Sequence, residues 1–247
     1  MADWNEPRQA QTGFGSVPRA GGDVASRTTF DAGLRKYMLS IYNYMTSGIL
    51  LTGIVALLTA QSGLAITFAT GPMMWLVALA PLAIVFAMSF GMNKFSKTAL
   101  QAMYWGFAVL MGLSLSTIFL VYTGGSIAVT FFATAAAFAG LSLFGYTTQK
   151  DLSGFGSFLI MGVVGLIVAS LLNLWLQSPA LMWAISAIGV LVFAGLTAYD
   201  TQKLKNIYTH VRGTEMMGKV VIMGALNLYL DFINMFLFLL RFMGSRD

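Results

Sequence analysis

Residues 220–242 read VVIMGALNLYLDFINMFLFLLRF, an apolar run of 23 residues whose one acid is Asp231. As a helix it is about 34 Å long, enough to cross a hydrocarbon core of about 30 Å with some tilt. Asn227, Asp231 and Asn234 are spaced by four and then three positions, so they share one helical face, while Leu230, Phe232, Ile233 and Phe236 cover much of the rest. Asp231 stands twelve residues after Lys219 and ten before Arg241, close to mid-bilayer. An ionised aspartate at that depth costs about 2.5–3.5 kcal/mol, so the polar face is expected to point into a bundle and Asp231 is a candidate functional residue. A structural interhelical hydrogen bond is the plainer alternative.

Six similar runs precede it: roughly 44–59, 72–92, 103–122, 127–146, 158–176 and 181–199. With 57% hydrophobic and 9% charged residues, the chain is an all-α integral membrane protein, and none of the runs alternates with the period of two that a membrane barrel requires. Breaks fall at Gly71-Pro72, Gly124-Gly125-Ser126, Gly154-Phe155-Gly156 and Ser178-Pro179. Pro81 is expected to kink the second run, its freed carbonyl met by a neighbouring helix. Small residues offer faces for close approach: Ala136 with Gly140 and Ser142, Gly162 with Gly165, and Gly189 with Gly195. Residues 1–36, rich in Gly, Pro and Arg, are expected to form a disordered tail, leaving 37–247 as the seven-helix domain. No apolar signal-peptide core precedes the first run. Cysteine is absent and His210 is the single histidine, which argues against disulfides, thiolate metal sites and a tightly bound cofactor.

The net charge of +5 has a topological use rather than a nucleic-acid partner. With the N-terminus in the cytoplasm, twelve of the fourteen Lys and Arg residues lie on that side, the exceptions being Arg241 and Arg246. A seventh run that dips in and returns would place those two inside as well. Its length favours a full crossing.

The sixth run ends in Gly195-Leu196-Thr197-Ala198-Tyr199-Asp200-Thr201-Gln202-Lys203. Asp200 is either a headgroup carboxylate paired with Lys203, or, if the helix continues to about Tyr208 with Lys203 and Lys205 snorkelling outward, an interior group beside Thr197, Thr201 and Gln202. Helices joined by a short connection tend to pack side by side, so Asp200 and Asp231 are expected to meet. At about 4 Å and an effective dielectric near 20, two carboxylates repel by about 4 kcal/mol. The pair then shares one proton, the basis of a pH sensor.

The segment from Gly195 to Lys203, with Leu228-Tyr229-Leu230-Asp231-Phe232-Ile233-Asn234-Met235-Phe236 and Leu239-Leu240-Arg241, resembles the signature of the Bax-inhibitor-type (transmembrane Bax inhibitor motif) family over nearly all of the chain after about Leu34. The resemblance implies six helices around a central seventh and a calcium-permeable leak gated by a pair of aspartates, matching Asp200 and Asp231. Calcium is then a permeant ion, held transiently by the two carboxylates with Asn227 and Asn234 in support. Some members carry charged partners in the second helix; here the run 72–92 has no acid or base. The family spans bacterial and eukaryotic membranes, and a bacterial inner membrane suits this chain.

An intramembrane aspartyl protease also pairs aspartates on helices six and seven, but needs a glycine where this chain has Tyr229. A retinal protein needs a mid-membrane lysine, and the seventh run has only Lys219, at its edge. A non-conducting regulator that captures a partner such as a membrane protease or stress factor through the basic N-terminal tail is the remaining alternative.

Overall fold

The structure, a computed structural model, describes residues 20–245, with side chains from Thr29 to Ser245. It consists of α1 (Ala20–Gln61), the short α2 (Leu64–Ala69), α3 (Gly71–Gly91), α4 (Lys97–Leu115) continued by a 3₁₀ turn (Ser116–Leu120), α5 (Gly124–Thr147), α6 (Ser153–Leu176), α7 (Pro179–Val211) and α8 (Met216–Met243). No strand occurs among the described residues. All of these helices except α2 are long and apolar enough to cross a membrane, the seven spans expected from hydropathy.

Helix starts follow local chemistry. Ser96, Thr123 and Ser178 cap α4, α5 and α7 by accepting a hydrogen bond from the amide three residues on, and Pro179 occupies the first turn of α7, where its missing N–H costs nothing. Gly71, at φ 65°, turns the chain from α2 into α3, a conformation that a side chain would strain. Helix α3 then runs unbroken through Pro81. So does α8 from Met216 to Met243, which removes the reading in which the last run dips and returns.

One boundary differs from expectation. Helix α1 begins at Ala20, so residues 20–36 are helical rather than the tail their composition suggested. The reason is tertiary: Leu34 is buried, and Phe30 packs edge-on against Tyr208 of α7 at 5.3 Å with Arg212 over its face. The expectation for residues 1–19 lies outside the described residues, as does Arg246.

Helix α8 is the most buried span: 72% of its central window is buried, against 17–39% for the others. It packs on α7, its largest interface, and on α1, α5 and α4. Helices α3 and α6 stand off from it, α3 leaning on α2 and α4, and α6 on α7. The small-residue faces are only partly those expected. A Cβ on Gly145 would run into the Ala198 carbonyl oxygen, and one on Gly189 would lie 2.6 Å from the Phe238 ring, so α5 and α8 approach α7 closely there. Gly140 and Gly165 face open space instead.

Candidate functional site

Asp231 sits midway along α8 and is 5% exposed, with Leu228, Tyr229, Phe232 and Ile233 buried around it. Its Oδ2 has no hydrogen-bond partner. A buried polar atom left without a donor costs about 1–3 kcal/mol, so a structural interhelical bond does not account for this oxygen. Asp200 is half-buried on α7, which continues past it to Val211, as the interior reading of that residue required. The charges of Asp200 and, more weakly, Lys203 both reach Asp231.

The two aspartates thus share one electrostatic neighbourhood, but no hydrogen bond joins their carboxyl groups among the described residues. Nor does Asp200 pair with Lys203, whose Nζ lies over the Tyr199 ring at 5.7 Å from the centroid. Lys205 is half-buried against the end of α5, donating to the Tyr146 carbonyl at 2.7 Å.

The supporting polar residues are engaged elsewhere. Thr197 donates to the Phe193 carbonyl and Asn234 to the Leu230 carbonyl, each one turn back on its own helix. Thr201 bonds Ser142 of α5 at 3.4 Å and lies 3.5 Å from the Tyr42 hydroxyl of α1. Gln202 grips the α5–α6 connection: its Oε1 accepts from Leu152 N and its Nε2 donates to the Lys150 carbonyl, both at 2.8 Å. Asn227 is half-buried and, like the others, makes no hydrogen bond to either aspartate. The expected hydrogen-bonding shell around Asp200 is therefore absent: threonines on a helix satisfy their hydroxyls locally, and Gln202 is long enough to serve the loop.

Sequence reading missed two anchors. The Tyr229 hydroxyl lies 2.8 Å from Thr52 Oγ1, which donates to the Ala108 carbonyl, so α8, α1 and α4 are tied by one chain of hydrogen bonds. The signals available for it were Thr52 and Tyr229, polar groups inside apolar runs. Lys219, at the start of α8, reaches the Met92 carbonyl at 3.3 Å, just past α3, the span without a charge of its own.

A cavity of about 1130 Å³ opens beside this site where α3 and α6 stand off α8. It extends from Gln177 and Arg241 at one end to Leu230, Ile233 and Asn234, the neighbours of Asp231 on α8. Asp231 itself does not line it. Among the described residues no cluster of three or more His, Cys, Asp or Glu side chains could hold a metal ion.

Comparison with known proteins places these features in context. The family model described as inhibitor of apoptosis-promoting Bax1 matches residues 34–247. Inner membrane protein YbhL of Escherichia coli K12 is 49% identical over 219 residues, which cover 87% of this chain and 94% of YbhL. A Caulobacter vibrioides protein is 47% identical over 241 residues, covering 93% of this chain and 95% of its own, and membrane protein SpyM3_0260 of Streptococcus pyogenes is 35% identical over 224 residues, covering 89% and 97%.

Proposed function

Because this chain belongs to the Bax-inhibitor family, we propose that it is a pH-sensitive calcium leak channel of a bacterial inner membrane, gated by Asp200 and Asp231 with its N-terminus in the cytoplasm. The observation that carries the reading is Asp231: mid-span on the most buried helix, unpartnered at Oδ2, and within reach of the Asp200 charge.

In this mechanism the pair is both gate and transient ligand. With a proton held on the pair, the repulsion between the carboxyls is relieved and α7 and α8 stay together. The cavity beside α8 is lined by Leu230, Ile233 and Asn234 but not by Asp231, which suits a path that does not run through the pair until the helices part. When both ionise, repulsion of about 4 kcal/mol at about 4 Å and dielectric 20 acts to part the helices. The two carboxylates, with the Asn227 and Asn234 carbonyls, then offer hard oxygens to a passing Ca²⁺. Raising the pH opens the path and lowering it closes it.

A proteolytic role for the same aspartates fits less well. Tyr229, where a protease of that type has glycine, is fully buried against Phe107, at 5.0 Å between ring centroids, and bonded to Thr52, leaving no room for a substrate backbone.

Calcium flux into dye-loaded liposomes holding the purified protein tests the proposal across pH 6 to 8. Flux is expected to rise with pH in the wild type and to lose that dependence in Asp231→Asn. Unchanged flux and pH response in the variant would remove the gate assignment.

A further inference from the structure

The cavity beside α8 has a composition that the gate does not use. Its wall is mostly apolar, with residues such as Leu82, Val85 and Leu171 beside a few polar ones such as Ser170 and Ser186, and among the described residues the one formally charged residue lining it is Arg241. Arg241 is exposed in the last turn of α8, its Cζ 5.9 Å from the Phe238 ring centroid, and forms no ion pair among the described residues. Among the described residues no carboxylate lines the cavity. A guanidinium with no ion-pair partner among the described residues, at the mouth of a mostly apolar space, is matched by an anionic headgroup carrying an apolar tail.

The dimensions fit a membrane lipid. Arg241 lies at the level where the α6–α7 connection, with Gln177 and Pro179, reaches the cavity, so it marks the headgroup end of the span. Leu230, eleven residues earlier on α8, lines the deep end about 16 Å away, close to the thickness of one leaflet's hydrocarbon, about 15 Å. The side is open to the bilayer: α3 and α6 share no substantial interface, and Leu82, Ile167 and Leu171 at the rim are exposed.

We infer that this cavity binds an anionic phospholipid of the bilayer, which enters sideways between α3 and α6, lays an acyl chain along the apolar wall and sets its phosphate on Arg241. Lipid occupancy is independent of whether the protein conducts calcium. A phosphate seated there also cancels the positive charge that a cation approaching from this face would meet.

The full chain, purified in mild detergent and incubated with equimolar phosphatidylglycerol and phosphatidylethanolamine, is examined by native mass spectrometry. One phosphatidylglycerol is expected to be retained about ten-fold in preference to phosphatidylethanolamine. Arg241→Gln should lose that preference and Arg241→Lys keep most of it. Ser170→Trp, which fills the cavity from α6, should reduce retention of both lipids, with helicity checked by circular dichroism in every variant. Equal retention of the two lipids by the wild type, or undiminished preference in Arg241→Gln, overturns the site. Displacement of the lipid by glycerol phosphate at similar concentration shows that the headgroup alone suffices and overturns the acyl-chain part.

Discussion

The Tyr229 hydroxyl and Thr52 Oγ1 lie 2.8 Å apart across the bundle, and because Thr52 donates to the Ala108 carbonyl, Tyr229 must be the donor in that pair. Both side chains are buried, so the bond reports directly on the seating of α8 between α1 and α4. Tyr229→Phe removes one donor and leaves Thr52 with its carbonyl partner, for an expected loss of about 0.5–1.5 kcal/mol. Thr52→Val strands the tyrosine hydroxyl and is expected to cost more, about 1–3 kcal/mol. Denaturant unfolding in detergent ranks the two variants. The reverse order would show that this chain does not anchor α8.

Asp231→Leu separates function from stability. Replacing a buried, unpartnered carboxylate with an apolar side chain is expected to stabilise the fold by about 1–3 kcal/mol while abolishing calcium flux. A loss of stability would instead assign Asp231 a structural bond.

Two glycines on α5 have opposite expectations. Gly145→Ala drives a methyl into the Ala198 carbonyl oxygen, forcing α5 away from α7 at an expected cost of about 1–3 kcal/mol. Gly140→Ala meets open space and is expected to gain up to about 1 kcal/mol from helix propensity. Thermal melting of the pair checks the α5–α7 approach.

Gln202→Leu frees both ends of the 150–152 connection. Faster hydrogen exchange at 150–153 is expected, with the spans unchanged; equal exchange would show that the clamp contributes nothing. Asp151, inside that connection and outside the spans, has its carboxyl held below the ordinary range by hydrogen bonds from Ser153, from the hydroxyl first and the backbone N–H second. A depressed folded value means that its contribution is complete above the unfolded value near 3.9 and is lost only as pH falls through the lower, folded one. A response between pH 6 and 8 therefore does not come from Asp151.

Orientation is testable cleanly because the chain has no cysteine. Gly125 and Gly154 both face open space, at the starts of α5 and α6. In intact cells a membrane-impermeant maleimide should label Gly125→Cys and leave Gly154→Cys unlabelled until the membrane is breached. The opposite pattern would invert the proposed topology.

The seven candidate spans, their breaks and the place of Asp231 midway along the last of them were legible in the sequence because each rests on local properties: apolar length, turn residues, and the distance of a lone acid from its basic flanks. Continuation of α7 past Asp200 was legible for the same reason, as Lys203 and Lys205 are long enough to let a helix run on into the headgroups. The early start of α1 was not, because Phe30 and Leu34 order it only through partners on α7 and beyond.

Partner choice was decided by the tertiary structure alone. Helical period puts Asn227, Asp231 and Asn234 on one face, yet only the packing of α8 leaves Asp231 without a donor while Asn234 bonds its own helix and borders the cavity. Gln202 looked like a companion of Asp200 and proved to hold a loop; Gly145, not Gly140, meets α7. Hydropathy determines that a segment enters the membrane, since that energy is summed along the chain. Which side chains meet there depends on the rotation and approach of helices distant in sequence, and the cavity beside α8 forms where two of them, α3 and α6, fail to close on it.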